Sequence, residues 1–273
     1  MSVGTANEND TPKLAIRNCS LTFNPGDHNE VRALDSVDLT VATSEHTVIV
    51  GSNGAGKSTL LNLVCGRFVP DTGQILIDGQ PVTHQPEHQR ARRIGRVFQD
   101  PLAGTAGPMT IEENLALAER RSSGRRFRRI RRDQTKQHRE DLSRLGMGLE
   151  DRLGNRVNSL SGGQRQALAL LMAAVSKPDL LVLDEHTAAL DPGAAERVLS
   201  LTNELVAEEG LTALMITHNM AHAVNTGDRT VMMHRGSVLF DVDGEERSQM
   251  TVTDLVERFR SFGGVVSDRS TLA

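Results

Sequence analysis

Thr47-Val-Ile-Val50 runs directly into Gly51-Ser-Asn-Gly-Ala-Gly-Lys57-Ser58 and then into Thr59-Leu-Leu-Asn-Leu-Val-Cys-Gly66. The first four residues are β-branched and suit a short buried strand. The last stretch has the apolar spacing of a helix. The eight residues between them match GxxxxGK[ST], a loop that binds phosphate. Its glycines allow successive backbone N–H groups to turn inward toward an anion, and the positive end of the following helix faces the same point. Lys57 supplies charge for the phosphates, and the Ser58 hydroxyl is a ligand for Mg²⁺. Gly51, Ser52, Asn53, Gly54, Ala55, Gly56, Lys57, Ser58 and Thr59 are therefore candidate nucleotide-binding residues. A chance glycine-rich turn would need neither the strand before it nor the helix after it.

Outward from this loop, residues 1–12 read as a disordered lead-in. Leu14 to about Val41 holds short β-like runs around the turn signal Asn24-Pro-Gly-Asp-His-Asn-Glu30. Beyond the loop come a hairpin turning at Asp78-Gly79 and a strand at Ile94–Phe98. Residues 109–173 are mostly helical in pattern and contain no good strand. Strand and helix alternate again through Leu180–Asp184, a helix near 194–209, a strand near 212–217 and a hairpin over 231–242. This order predicts an α/β fold with a mostly parallel sheet. The expected domains are one unit over 13–250, with an antiparallel β subdomain at its start and a helical subdomain inserted at about 103–175, then a C-terminal helix and tail over 251–273.

The 273 residues suit one large domain, with or without an inserted subdomain. Net charge is −4, which does not favour nucleic acid as a partner. No run approaches the roughly 20 apolar residues of a membrane-spanning helix, and the polar N-terminus has no signal core. A cytoplasmic protein that reaches a membrane only through a partner is expected. Cys19 and Cys65 are too few for a disulfide scaffold and read as small core residues.

Leu180–Asp184 is an apolar run that ends in a carboxylate, with Glu185 next. In such sheets the carboxyl ends of the strands face the ligand crevice. Asp184 is then a candidate for the Mg²⁺ shell, and Glu185 for the base that positions or deprotonates water. Two acids can also simply end a strand. Their place about 130 residues after a phosphate loop favours the functional reading.

With these motifs come Leu160-Ser-Gly-Gly-Gln164, Gln99 in Ile-Gly-Arg-Val-Phe-Gln-Asp, Ala189-Leu-Asp191 and His218 in Met-Ile-Thr-His. At this point the chain resembles the ABC ATPase family over roughly residues 14–245, and Leu-Ser-Gly-Gly-Gln is the most specific of its motifs. The resemblance implies the ABC variant of the P-loop NTPase fold, ATP and Mg²⁺ as ligands, and a head-to-tail homodimer beneath separate permease subunits. It implies that each ATP lies between one phosphate loop and Ser161, Gly162, Gly163 and Gln164 of the other copy, with Asp191 nearby. Gln99 is implied as a ligand of Mg²⁺ and of the attacking water. His218 is implied to hold the γ-phosphate and orient Glu185, although a histidine after a strand is more often a satisfied core residue. The family places an aromatic under adenine just after the first strand. Here Phe23 stands there, in a chain with no Tyr or Trp; a plain core Phe is the alternative.

One departure is that His186 follows the Asp–Glu pair, where the family commonly has Pro. Asp184-Glu-His-Thr-Ala-Ala-Leu-Asp-Pro192 resembles a bacterial uptake subgroup whose permeases and solute-binding proteins are associated with aromatic amino acids or similar solutes. An importer at the cytoplasmic face of the membrane is therefore expected. The alternatives are an exporter or extractor ATPase, and a soluble scaffold ATPase.

Between Arg120 and Arg132 stand eight arginines. They read as a solvated face, or as a contact for acidic permease loops or anionic lipid. A single interleaved aromatic, Phe127, speaks against a nucleic-acid stacking platform. After His218, 55 residues remain, which leads to the expectation that partners rather than a C-terminal sensor domain control the ATPase.

Overall fold

Alternation of side chains along the strands builds two cores on opposite faces of one sheet. In chain order, the computed structural model, which describes residues 11–123 and 132–262, has β1 (Leu14–Phe23), β2 (Val31–Val41), β3 (His46–Val50), α1 (Lys57–Val64), β4 (Thr72–Ile77), β5 (Gln80–Pro81), α2 (Glu87–Arg90) and β6 (Ile94–Val97). The helices α3 (Ile111–Ser123), α4 (Arg132–Ser143) and α5 (Gly162–Val175) follow, with a short 3₁₀ turn at Val157–Ser159. The chain continues as β7 (Leu180–Asp184), α6 (Pro192–Glu208), β8 (Ala213–Thr217), α7 (Met220–Asn225), β9 (Arg229–His234), β10 (Ser237–Val242), α8 (Gly244–Gln249) and α9 (Val252–Ser261).

The larger sheet runs β10-β9-β3-β8-β7-β6 and is parallel except for the β9–β10 hairpin. Val48, Val50, Leu181, Leu183, Ala213, Met215 and Met232 face one core, shared with helices α3 to α7 and α9. Their strand neighbours Ile49, Leu180, Val182, Leu214, Ile216, Val231 and Met233 face the other, shared with α1 and the four-stranded antiparallel sheet β2-β1-β4-β5. Period-two alternation of apolar residues that are buried on both faces is what a central parallel sheet requires. α1 is thereby held between two sheets, with Leu60, Leu61, Leu63 and Val64 buried.

Arg90 is almost fully buried and donates from Nη1 to Leu63 O and Val64 O, both at 2.8 Å, and from Nη2 to Thr83 O at 2.8 Å. A cation therefore satisfies the carbonyl end of the very helix whose amino end faces the phosphate loop.

The expected α/β class, antiparallel N-terminal sheet and inserted helices are all present. Among the described residues, the region after β10, expected to hold one helix, holds two. Gly244 at φ +52 lets the chain turn into α8, and the Thr251–Asp254 capping box starts α9 afresh. Residues 1–10 of the lead-in expected over 1–12, the tail over 263–273 and the arginines from Arg125 to Arg131 lie outside the described residues. Among those described, no helix is long and apolar enough to cross a membrane.

Candidate functional site

The phosphate loop turns between β3 and α1 where side chains cannot go. A Cβ on Gly51 would come within 2.3 Å of Met233 O, and one on Gly56 within 2.6 Å of Ala33 O. Gly56 is also the N-cap of α1, at φ +97, in the left-handed region that only glycine adopts freely. Lys57 is buried, and its Nζ donates to Gly51 O at 2.7 Å and Ser52 O at 3.2 Å. Burial pushes its ammonium pKa down, against the opposing pull of Glu185 and Asp184. The ammonium thus rests on the carbonyls of its own loop. Ser58 is exposed and Thr59 partly so, at the open amino end of α1.

β7 delivers the acids. Asp184 is its last residue, and Glu185 follows at φ +44, a left-handed conformation that costs a non-glycine residue energy and clusters at functional sites. The turn is held by Glu185 N to Ile216 O at 3.1 Å and Ala188 N to Glu185 O at 2.9 Å. It lays the Glu185 carboxylate between two bases. Oε2 meets His218 Nδ1 at 3.1 Å, and Oε1 lies 4.0 Å from Lys57 Nζ. His218 follows β8, the strand beside β7, so strand order alone brings together residues 33 apart in sequence. With Nδ1 donating to the carboxylate, Nε2 is left for another partner.

The Leu-Ser-Gly-Gly-Gln stretch forms the start of α5. Ser161 is its N-cap in a capping box: Gln164 N donates to Ser161 Oγ at 3.2 Å, and Ser161 N donates to Gln164 Oε1 at 3.2 Å. Asp191 is the N-cap of α6, with a single side-chain bond, accepting from Ala194 N at 3.0 Å. These two helix starts border a recess of about 540 Å³ lined by Ser161, Gly162, Gly163, Gln164, Asp191 and Arg197, among others. No residue of the phosphate loop lines it.

Two expected residues sit less centrally. Gln99 is exposed just past β6, and among the described residues no hydrogen bond joins it to Ser58 or Asp184. Phe23, at the end of β1, is partly buried and meets Phe68 edge-to-face at 5.4 Å, as part of the core under the antiparallel sheet.

Sequence reading missed Arg96, the β6 residue that does reach Asp184, donating to Oδ2 at 2.7 Å. The signal was present: a charged residue inside a four-residue buried strand must find a partner. It also missed the partner of His186. That ring is buried, with Nε2 at 2.9 Å from Thr202 Oγ1, while the Thr202 hydroxyl donates to Val198 O at 2.8 Å. Thr202 therefore accepts, and His186 Nε2 carries the proton. Burial, with His46 and His222 adding to it, lowers the His186 pKa to about 3.

A titratable group kept neutral by the fold loses stability as pH falls from its unfolded value, about 6.5, toward its folded one. Below pH 6.5 the unfolded chain binds a proton that the folded chain refuses. His186→Gln keeps an N–H donor for Thr202 and cannot titrate. Chemical denaturation of this variant between pH 6.5 and 5 is expected to show a shallower stability slope than the parent, by up to about 1.4 kcal/mol per pH unit. Equal slopes would show that His186 charges as readily in the fold as outside it.

The comparisons agree with the geometry. Residues 34–188 match the family model described as ABC transporter. Over 247 residues the chain is 40 % identical to a tyrosine transport ATP-binding protein of Clostridioides difficile, covering 90 % of this chain and 98 % of that one. It is 36 % identical to a lipoprotein-releasing system ATP-binding protein of Caulobacter vibrioides, covering 81 % and 93 %. Among solved structures, the dimeric post-hydrolysis state of the ATP-binding cassette MJ0796 bound to ADP and Pi superposes with a TM-score of 0.71 at 28 % identity, covering 84 % of this chain and 98 % of that one. A phosphate loop, a carboxylate pair beside a histidine and a capped Ser-Gly-Gly-Gln helix thus stand in one fold with these relatives, and the chain belongs to the ABC transporter family, among its ATP-binding and ATP-hydrolysing subunits.

Proposed function

We propose that this chain is the ATPase of a bacterial importer for an amino acid or similar small solute, working as a head-to-tail homodimer on the cytoplasmic side of separate permease subunits fed by a solute-binding protein. The observation that carries import is the 40 % identity, over nearly the whole of that protein, to a tyrosine transport ATP-binding protein. The likeness to a lipoprotein-releasing ATPase supports a second reading, extraction rather than uptake.

The residues present suit ATP and Mg²⁺. The loop around Gly51 and Gly56 leaves no room for side chains, and Lys57 needs only to leave the carbonyls of its own loop to meet phosphate. The Ser58 hydroxyl and the Asp184 carboxylate are the hard oxygen donors that Mg²⁺ prefers, with phosphate oxygens and water completing its shell. Bound there, Mg²⁺ neutralises charge developing on the phosphates.

The protein's own residues then divide the work. Glu185 takes the proton of the attacking water or aims it, held in line by His218 Nδ1, and His218 Nε2 turns to the γ-phosphate. Because Ser161 Oγ accepts from Gln164 N in the capping box, its hydroxyl proton is free to be donated. With the amino end of α5 it offers donors to an ATP held by the second copy. Gln99 and Phe23 join this site only if closure moves the segment after β6 and if adenine comes to lie against the Phe23–Phe68 pair.

Reconstitution in lipid with the permease and binding protein tests the assignment. Hydrolysis should rise when tyrosine or a related solute is added outside, and the solute should accumulate inside. Solute or lipoprotein leaving the membrane instead would establish the second reading.

A further inference from the structure

We propose that Arg96 is a positioning residue for Mg²⁺. It clamps one oxygen of Asp184 to the phosphate-loop helix so that the other faces the metal, and the proposal rests on the metal-binding role given to Asp184 above. Arg96 sits on β6 beside β7 in a sheet buried on both faces, and only 10 % of its side chain is exposed. A guanidinium in such a place needs fixed partners. It has three. Nη2 donates to Asp184 Oδ2 at 2.7 Å, Nη1 donates to Asn62 Oδ1 at 3.0 Å, and the cation lies 4.7 Å from the centre of the Phe98 ring.

Each partner belongs to a different part of the site. Asn62 lies on α1 one turn beyond Ser58, the other expected metal ligand. Asp184 ends the strand that leads into Glu185, and Phe98 precedes Gln99. Arg96 therefore fixes the distance between the two oxygen donors through their supports. Its planar fork allows two bonds in fixed directions, which a point charge would not. Among the described residues, Asp184 Oδ1 makes no hydrogen bond, so the clamp uses one oxygen and leaves one.

A competing role, in which Arg96 occupies the place of the metal and must leave, fits poorly with three anchors and a buried stem. The Nε–H is buried without a partner, an extra cost that the site bears in keeping the arginine where it is. Groups that orient a metal ligand from behind typically contribute 10- to 100-fold in metal affinity.

The test is the Mg²⁺ dependence of nucleotide binding in the full-length protein, read with a fluorescent ATP analogue. Arg96→Met should leave binding in EDTA within about twofold of the parent, while the Mg²⁺ midpoint for the tightened complex moves up by roughly 10- to 100-fold. Asn62→Ala, which removes one anchor and keeps the charge pair, should move it the same way by less, and carries the test if Arg96→Met does not fold. A midpoint unmoved in both variants, or one that falls, would overturn the clamp; the fall would mark Arg96 as a rival of the metal. Asp184→Asn serves as the reference. If it too leaves the midpoint in place, the metal role of Asp184 fails and the clamp with it. A shift in Asp184→Asn alone refutes only the clamp.

Discussion

Glu185→Gln should lower ATP turnover by roughly 10²- to 10⁴-fold, the usual contribution of a general base, with little change in ATP affinity. The side chain is held at Oε2 by His218 Nδ1 and lies within 4.0 Å of Lys57 at Oε1. Glutamine has the same shape, and its carbonyl oxygen still accepts from His218. What it loses is the ability to take a proton. The substitution also removes a negative charge beside Lys57, so affinity for the polyanion should hold or improve. Steady-state phosphate release measured beside nucleotide binding separates the two quantities. Turnover within tenfold of the parent would take Glu185 out of this role.

Lys57→Ala should act on the other quantity. The ammonium is buried against Gly51 O and Ser52 O, with Glu185 Oε1 at 4.0 Å. A hydrogen bond to a charged group is worth about 1.5–3 kcal/mol, so ATP affinity should fall about 10- to 100-fold. Removing the lysine also takes away the cation beside Glu185 Oε1, which leaves more of the acids' charge facing a polyanion even though Arg96 stays on Asp184. Direct titration with a nucleotide reports it. Unchanged affinity would mean that phosphate is not bound by this loop.

Local signals carried most of the fold. The phosphate loop and the strand ending at Asp184 each lie within a few consecutive residues, and each formed as its sequence predicts. The two cores were implicit in strands apolar on both faces, such as Leu180–Leu183, though which strand lies beside which was not. That ordering is what joins Arg96 to Asp184 across 88 residues of chain, with the whole helical insertion between them. It likewise joins His186 to Thr202 through a helix that turns back over the sheet. Buried polar residues announce that a partner exists without naming it, so these pairs became legible only in three dimensions. Gln99 shows the opposite limit. The motif marked it, yet it stands exposed past the end of β6, with no hydrogen bond among the described residues to Ser58 or Asp184.

The most direct test of the composite site uses Gly162. A Cβ there would meet only Leu190 Cδ2, at 3.4 Å, whereas one on Gly163 would press on Ala194 Cβ at 3.0 Å. Gly162→Trp can therefore fold, yet its side chain has to enter the recess expected to receive the other copy's ATP. Both proteins should carry Glu185→Gln, so that ATP is retained, and be sized by chromatography with light scattering at saturating ATP and Mg²⁺. Glu185→Gln alone should run as a dimer, and the double variant should bind ATP equally well and stay a monomer. A monomeric Glu185→Gln protein, or a double variant that dimerises as readily as its parent, would contradict an ATP site shared between two copies of this chain.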